Sequence, residues 1–176
     1  MEVFENLAYE IGNIVSKKNN PVFKQSRNYV DSQASNYLGQ QIITKVKSHA
    51  NVVTYAGLAS AIPGGELASG AAIVASTWKM YYDINKTIGI SFSENFLKSI
   101  ASGIASNLAS NGVAFAATAV VNKIPLFGNL VGAVAGPAIN RTALYTAAGC
   151  YLTALKTILK DGDISERALK AALPRT

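Results

Sequence analysis

Residues 123–149 read KIPLFGNLVGAVAGPAINRTALYTAAG, with Gly128, Gly132 and Gly136 spaced by four. Residues four apart stack on one side of an α-helix, and glycines there let two backbones approach closely. The series predicts a helix with a tight packing face, a glycine zipper. Gly136-Pro137 should kink or split it, because proline removes a backbone donor and clashes with the preceding turn. Ser102, Ser106 and Ser110 repeat the small-residue spacing one helix earlier. Together the two surfaces predict a Gly/Ala-rich helical hairpin within an all-α, compact multi-helix bundle. Strand signals are weak, since the β-branched residues are diluted by Ala, Ser and Gly.

Upstream of this stretch, Ser99 to Asn122 is 24 residues without a charge. That length suffices to cross a hydrocarbon core of roughly 30 Å, although seven Ser or Asn side chains, counting Asn122 at its end, make it a poor lipid-facing span by itself. Two further charge-free windows, 124–140 and 142–155, are 17 and 14 residues long and flank Arg141. Neither spans alone; together they would, with Lys123 and Arg141 at the polar margins.

The rest of the chain reads as amphipathic helices with marked ends. Val3, Leu7, Ile11 and Val15 predict a helix that stops before Lys17-Lys18-Asn19-Asn20-Pro21. A second is predicted from about Gln25 to Ser48, with Val30, Ala34, Tyr37, Leu38, Ile42 and Val46 near its buried face. Pro63-Gly64-Gly65 breaks the chain, and Glu66 opens a helix running through Trp78, Met80 and Ile84 to a stop near Gly89. Ser91 and Glu94 have the spacing of a capping box for the next helix. Asp161-Gly162 ends the last long helix, and Asp163 with Glu166 is expected to cap a short terminal one that places Leu169 and Leu173 together. The expected organisation is an amphipathic region over 1–48, a small-residue-rich helical core over 49–160 and a terminal helix within 161–176.

Composition narrows the function classes. Charged residues are 15% of the chain, against roughly 25% in an ordinary soluble domain. Of the net charge of +6, residues 99–155 hold only Lys123 and Arg141 and no acid. Basic ends around a charge-poor middle suit an anionic lipid surface better than a nucleic-acid groove, for which no basic stripe is seen. Nucleic acid is therefore not an expected partner.

No phosphate-binding GxxxxGK[ST] loop, GxSxG elbow, HExxH or CxxC pair occurs. One histidine and one cysteine do not assemble a usual zinc site, so no metal or cofactor is expected. His49 and Cys150 would be the sole base and thiol nucleophile. Their surroundings point instead to a polar helix-end histidine and a small buried thiol. The chain is not expected to be an enzyme. Glu2, Glu5 and Glu10 interrupt any signal peptide, so cytoplasmic synthesis is expected, with secretion by another route left open.

Two segments, AIPGGELASGAAIVASTWKMYYDINKTIGIS at 61–91 and 123–149, carry a resemblance to the family called domain of unknown function 697. That family occurs in YcjF-type membrane proteins and behind the GTPase domain of some Era-like GTPases. The matching positions are Ile62, Pro63, Glu66, Lys79, Met80 and Gly89, then Lys123, Ile124, Pro125, Gly128 and Gly132. The resemblance covers about two-thirds of the chain, from about Ala50 to Lys160. It implies a helical, often membrane-associated module coupled to a GTPase. Residues 1–48 stand where a GTPase domain would precede, so any GTPase would act in trans.

The expected function is thus a helical membrane-associated module that self-associates or docks a protein partner through Gly128, Gly132 and Gly136. A small pore-forming toxin or secreted effector and a soluble helical adaptor are the alternatives.

Overall fold

The computed structural model describes residues 2–17, 32–59, 65–104 and 137–173. Six helices and no strand occur among them: α1 (Glu2–Ser16), α2 (Ser32–Ala59), α3 (Gly65–Ile88), α4 (94–104), α5 (Pro137–Asp161) and α6 (Glu166–Ala172). The protein is an all-α helical bundle, as its periodicity predicts. The expected Gly/Ala-rich hairpin falls largely outside the described residues.

α1 ends before Lys17, as expected, and buries Phe4, Leu7, Ala8, Ile11 and Val15. This apolar stripe meets both α2 and α5, while α2 also packs on α3. α5 is enclosed by α1, α2, α3 and α6. It buries residues around most of its circumference, from Ala143 and Leu144 to Ile158 and Leu159. A helix apolar on all sides belongs at the centre of a bundle.

Two corrections concern α2. It extends to Ala59 rather than stopping at Ser48, because Ile42, Val46, Ala50 and Val53 continue one buried face past the expected end. The expected boundary at 48/49 thus lies inside a helix, and one core joins residues on both sides of it. Tyr37, expected near the buried face, is 62% exposed beside the fully covered Leu38.

The α1–α2 crossing rests on Gly12 and Gly39. A Cβ on Gly12 would meet the Ser35 carbonyl oxygen and lie 2.9 Å from Gly39 N. One on Gly39 would run into the Tyr9 ring and come within 2.9 Å of Tyr9 Cα. Small residues therefore do bring two backbones together here, at positions other than the expected zipper. Ion pairs of Lys47 with Glu5 (2.8 Å) and of Lys156 with Glu10 also join α1 to α2 and α5.

Helix ends follow local chemistry with two changes of residue. Gly89 (φ 74°) and Gly162 (φ 75°) take the left-handed conformation that stops α3 and α5 where expected. The first turn of α4 is capped by Ser93, not Ser91: its Oγ accepts from Phe96 N–H at 3.3 Å. α6 is capped by Ser165, not Asp163, through Oγ accepting from Ala168 N–H at 3.1 Å. Both serines stand three residues before the amide they cap, the reach that a capping side chain needs. Leu169 is buried, and Leu173 packs against the core beside it.

The carboxylate expected from a capping box comes from elsewhere in the chain. Glu166 Oε1 accepts from Ser93 N–H at 2.8 Å, joining the starts of α4 and α6. Bonds from the Ser93 hydroxyl and then its amide hold the Glu166 carboxyl below its ordinary range. A depressed folded pKa contributes stability that is full above the unfolded pKa and fades as pH falls through the folded value. Glu166→Gln should therefore lower the urea midpoint at pH 7. The difference should vanish once the pH falls below the folded value; a gap unchanged at low pH would exclude this linkage.

Candidate functional site

Along α3, Lys79, Tyr82 and Lys86 are exposed at spacings of three and four, which sets them on one face. Half-buried Trp78 lies beside them. Lys79 Nζ stands 5.9 Å from its ring centroid, and Lys98 Nζ reaches it from α4 at 4.9 Å. The chain turn after Gly89 closes the far end of this face. There a surface cavity of about 150 Å³ opens between α3 and α4, with Tyr82, Lys86 and Ser91 at its mouth and Asn85, Ile90, Phe92 and Leu97 beneath. Asn85, Ile90 and Leu97 are buried, whereas Ser91 and Lys86 are exposed, so donors ring a mostly apolar floor that includes one carboxamide. Of the neighbouring acids, Glu94 pairs with Lys98. Asp83 Oδ2 lies 3.0 Å from His49 Nε2 on α2. Such a face attracts anions through lysine and presents aromatic rings to a half-wet boundary.

Beneath it, α3 and α5 meet through stacked tyrosines. The Tyr81 and Tyr151 rings lie 3.9 Å apart at 12°. Tyr81 donates to Ala147 O at 3.1 Å and Tyr151 to Asn85 Oδ1 at 2.9 Å. Asn85 Nδ2 and Thr77 Oγ1 are buried without a hydrogen-bond partner among the described residues. The stack is a rigid, mostly satisfied link that fixes the register of α3 and hence the outward face.

The sequence-derived site residues divide sharply. Gly128, Gly132, Gly136, Lys123, Pro125, Ile62 and Pro63 lie outside the described residues. Glu66 falls in the first turn of α3. Lys79 is on the exposed face, Met80 is fully buried, and Gly89 makes the turn that leads into the cavity-lining Ile90. Arg141 is exposed on α5, its guanidinium 3.3 Å from the Tyr145 hydroxyl.

His49 is a mid-helix residue paired with Asp83 rather than a helix-end one. Cys150 is buried as expected, and burial pushes its thiol up to about 12. It is therefore protonated at neutral pH and is not a thiolate nucleophile. Ellman's reagent should leave the native protein unlabelled and modify one thiol only after denaturation; rapid labelling of folded protein would contradict that burial.

The lysine–aromatic face was missed in the sequence, although its α3 half was legible as Lys79, Tyr82 and Lys86 on one stripe. Lys98 joins only through the α3–α4 contact. No described helix is long and apolar enough to cross a membrane. Among family models, curated proteins and solved structures, none matches this chain.

Proposed function

We infer that the protein is a non-enzymatic helical module that associates with membranes and holds a partner or a second copy there. One observation carries this reading. The charge-free run begins at Ser99 inside α4, and the surface between α3 and α4 presents Lys79, Lys86 and Lys98 with Trp78 and Tyr82. Between the described ends at 104 and 137 lie 32 residues whose sole charge is Lys123. Cationic groups beside a long apolar run are what a bilayer surface and its interior would each engage. The resemblance to a membrane-protein family supports the same reading and adds a GTPase in trans as the proposed partner.

Alkaline carbonate extraction of cell membranes tests it. Retention in the pellet is expected, with Gly132→Leu reducing self-association if the glycine series is the contact. Complete release, or absence from the membrane fraction, would reject the embedded form. Dye release from loaded vesicles separates a pore-former from a passive module. Protein docking without lipid is the second reading, favoured by Tyr37, Val52 and Tyr55, which are 62%, 54% and 73% exposed on α2.

A further inference from the structure

We propose that the corner between α3 and α4 is a headgroup site for anionic phospholipid, with the lipid phosphate seated in the Lys86–Ser91 cavity. The proposal rests on the membrane reading above and names the surface and the lipid class.

The cavity volume of about 150 Å³ corresponds to roughly five waters. That is room for a phosphoryl group and its glycerol ester, and too little for an acyl chain. Its mouth offers the Lys86 ammonium, the Ser91 hydroxyl and the Tyr82 ring, all exposed. Its floor of Ile90, Phe92 and Leu97 suits the carbon side of a headgroup ester rather than a fully hydrated inorganic ion, and Asn85 adds one buried amide there.

The surroundings extend the same chemistry. Lys79 and Lys98 bracket the Trp78 ring, and tryptophan favours the headgroup level of a bilayer. Long lysine stems lie along apolar surface while their ammonium groups reach polar phosphate. Glu94 is drawn to Lys98, and Asp83 is turned to His49, which leaves Lys79 and Lys86 to set the local sign. In sequence, the charge-free run starts one residue after Lys98. A nucleic acid would match the lysines but not the cavity's Ile90, Phe92 and Leu97 lining.

Trp78 is the chain's single tryptophan, so its emission reports on this corner alone. The full-length protein is titrated with vesicles of phosphatidylcholine, pure or mixed with phosphatidylglycerol, following both co-sedimentation and Trp78 emission. Binding to the anionic vesicles with a blue shift is expected, and quenching when the lipids carry bromine on the upper acyl chain. Glycerol phosphate alone should leave the emission unchanged. Each lysine at an anionic surface strengthens attachment about fivefold, and Glu94 offsets part of the effect of Lys98. The triple variant Lys79→Gln, Lys86→Gln, Lys98→Gln should therefore bind roughly 30-fold more weakly.

A control triple, Lys45→Gln, Lys160→Gln, Lys170→Gln, removes the same charge elsewhere and should lose only a few-fold. Equal losses in the two triples, or sedimentation without any change at Trp78, would overturn the corner site and leave membrane association standing. Failure of the wild-type chain to sediment with either vesicle would overturn both. Binding of an RNA oligonucleotide with the blue shift, and no vesicle binding, would reassign the surface.

Discussion

Gly12→Val will cost the fold about 3 kcal/mol, which for a chain of this size lowers Tm by roughly 6–12 °C. The first atoms its side chain meets are the Ser35 carbonyl oxygen and the Gly39 amide nitrogen, both backbone. Rotamer changes do not move backbone, so α1 must lift from α2. Lifting it draws Phe4, Leu7 and Ile11 away from the core and loosens the Lys47–Glu5 pair. Gly12→Ala should be milder, about 1–2 kcal/mol, because alanine regains helix propensity of about 1 kcal/mol while still striking the same atoms. Gly39→Val should resemble Gly12→Val, since one of its contacts is Tyr9 Cα. The two losses should not add, as they report on one crossing. Urea titration measures all three, and a Gly12→Val protein within about 0.5 kcal/mol of wild type would show that the helices do not cross at these glycines.

Tyr151→Ala should be more damaging still. Truncating a fully buried aromatic ring costs about 3–5 kcal/mol, and it leaves the Asn85 carboxamide buried with neither end bonded. A loss near 5 kcal/mol is comparable to the whole stability of a modest domain, so the variant is expected to be largely unfolded. Tyr151→Phe keeps the stack with Tyr81 and removes only the bond to Asn85, so about 1–2 kcal/mol is expected. Adding Asn85→Leu to Tyr151→Phe should restore part of that loss, because replacing both partners removes the stranded polar group. If Asn85→Leu worsens Tyr151→Phe by its full separate cost, the two residues are not coupled, and the polar link between α3 and α5 is not what holds them.

These two results probe features that differ in how far they could be read beforehand. Within one helix, spacing sufficed: Leu7, Ile11 and Val15 predicted the α1 face, and Gly89 and Gly162 predicted two helix ends. Where local patterns competed, the reading slipped by a few residues. Ser91 and Ser93 are both plausible caps, and Ser93 wins because Glu166 completes it from another helix. The α2 boundary slipped further, because a fall in charge after His49 resembled a change of element while the buried face ran on through Ala50 and Val53.

What joins one helix to another was not legible. Gly12 and Gly39 attract no notice beside Gly128, Gly132 and Gly136. Their importance comes from which helices cross, and periodicity carries no information on that. The same holds for Tyr81 with Tyr151 and for Lys98 over Trp78. The expected membrane margin at Arg141 is, in the described helix, an exposed guanidinium against Tyr145. The lysine–aromatic face is on α3 and α4, which precede most of the charge-poor run in sequence.

The bond between Ser93 and Glu166 spans 73 positions of the chain, and this has a consequence for biosynthesis. A ribosome adding about 5–20 residues per second takes roughly 4–15 s to make the intervening length. Throughout that interval α4 lacks the carboxylate that completes its first turn, while the low-charge residues following it are already leaving the exit tunnel. Any factor that binds the nascent chain in that interval meets this stretch before the chain has made its own closing bond, and a ribosome pause between residues 105 and 166 would lengthen the interval.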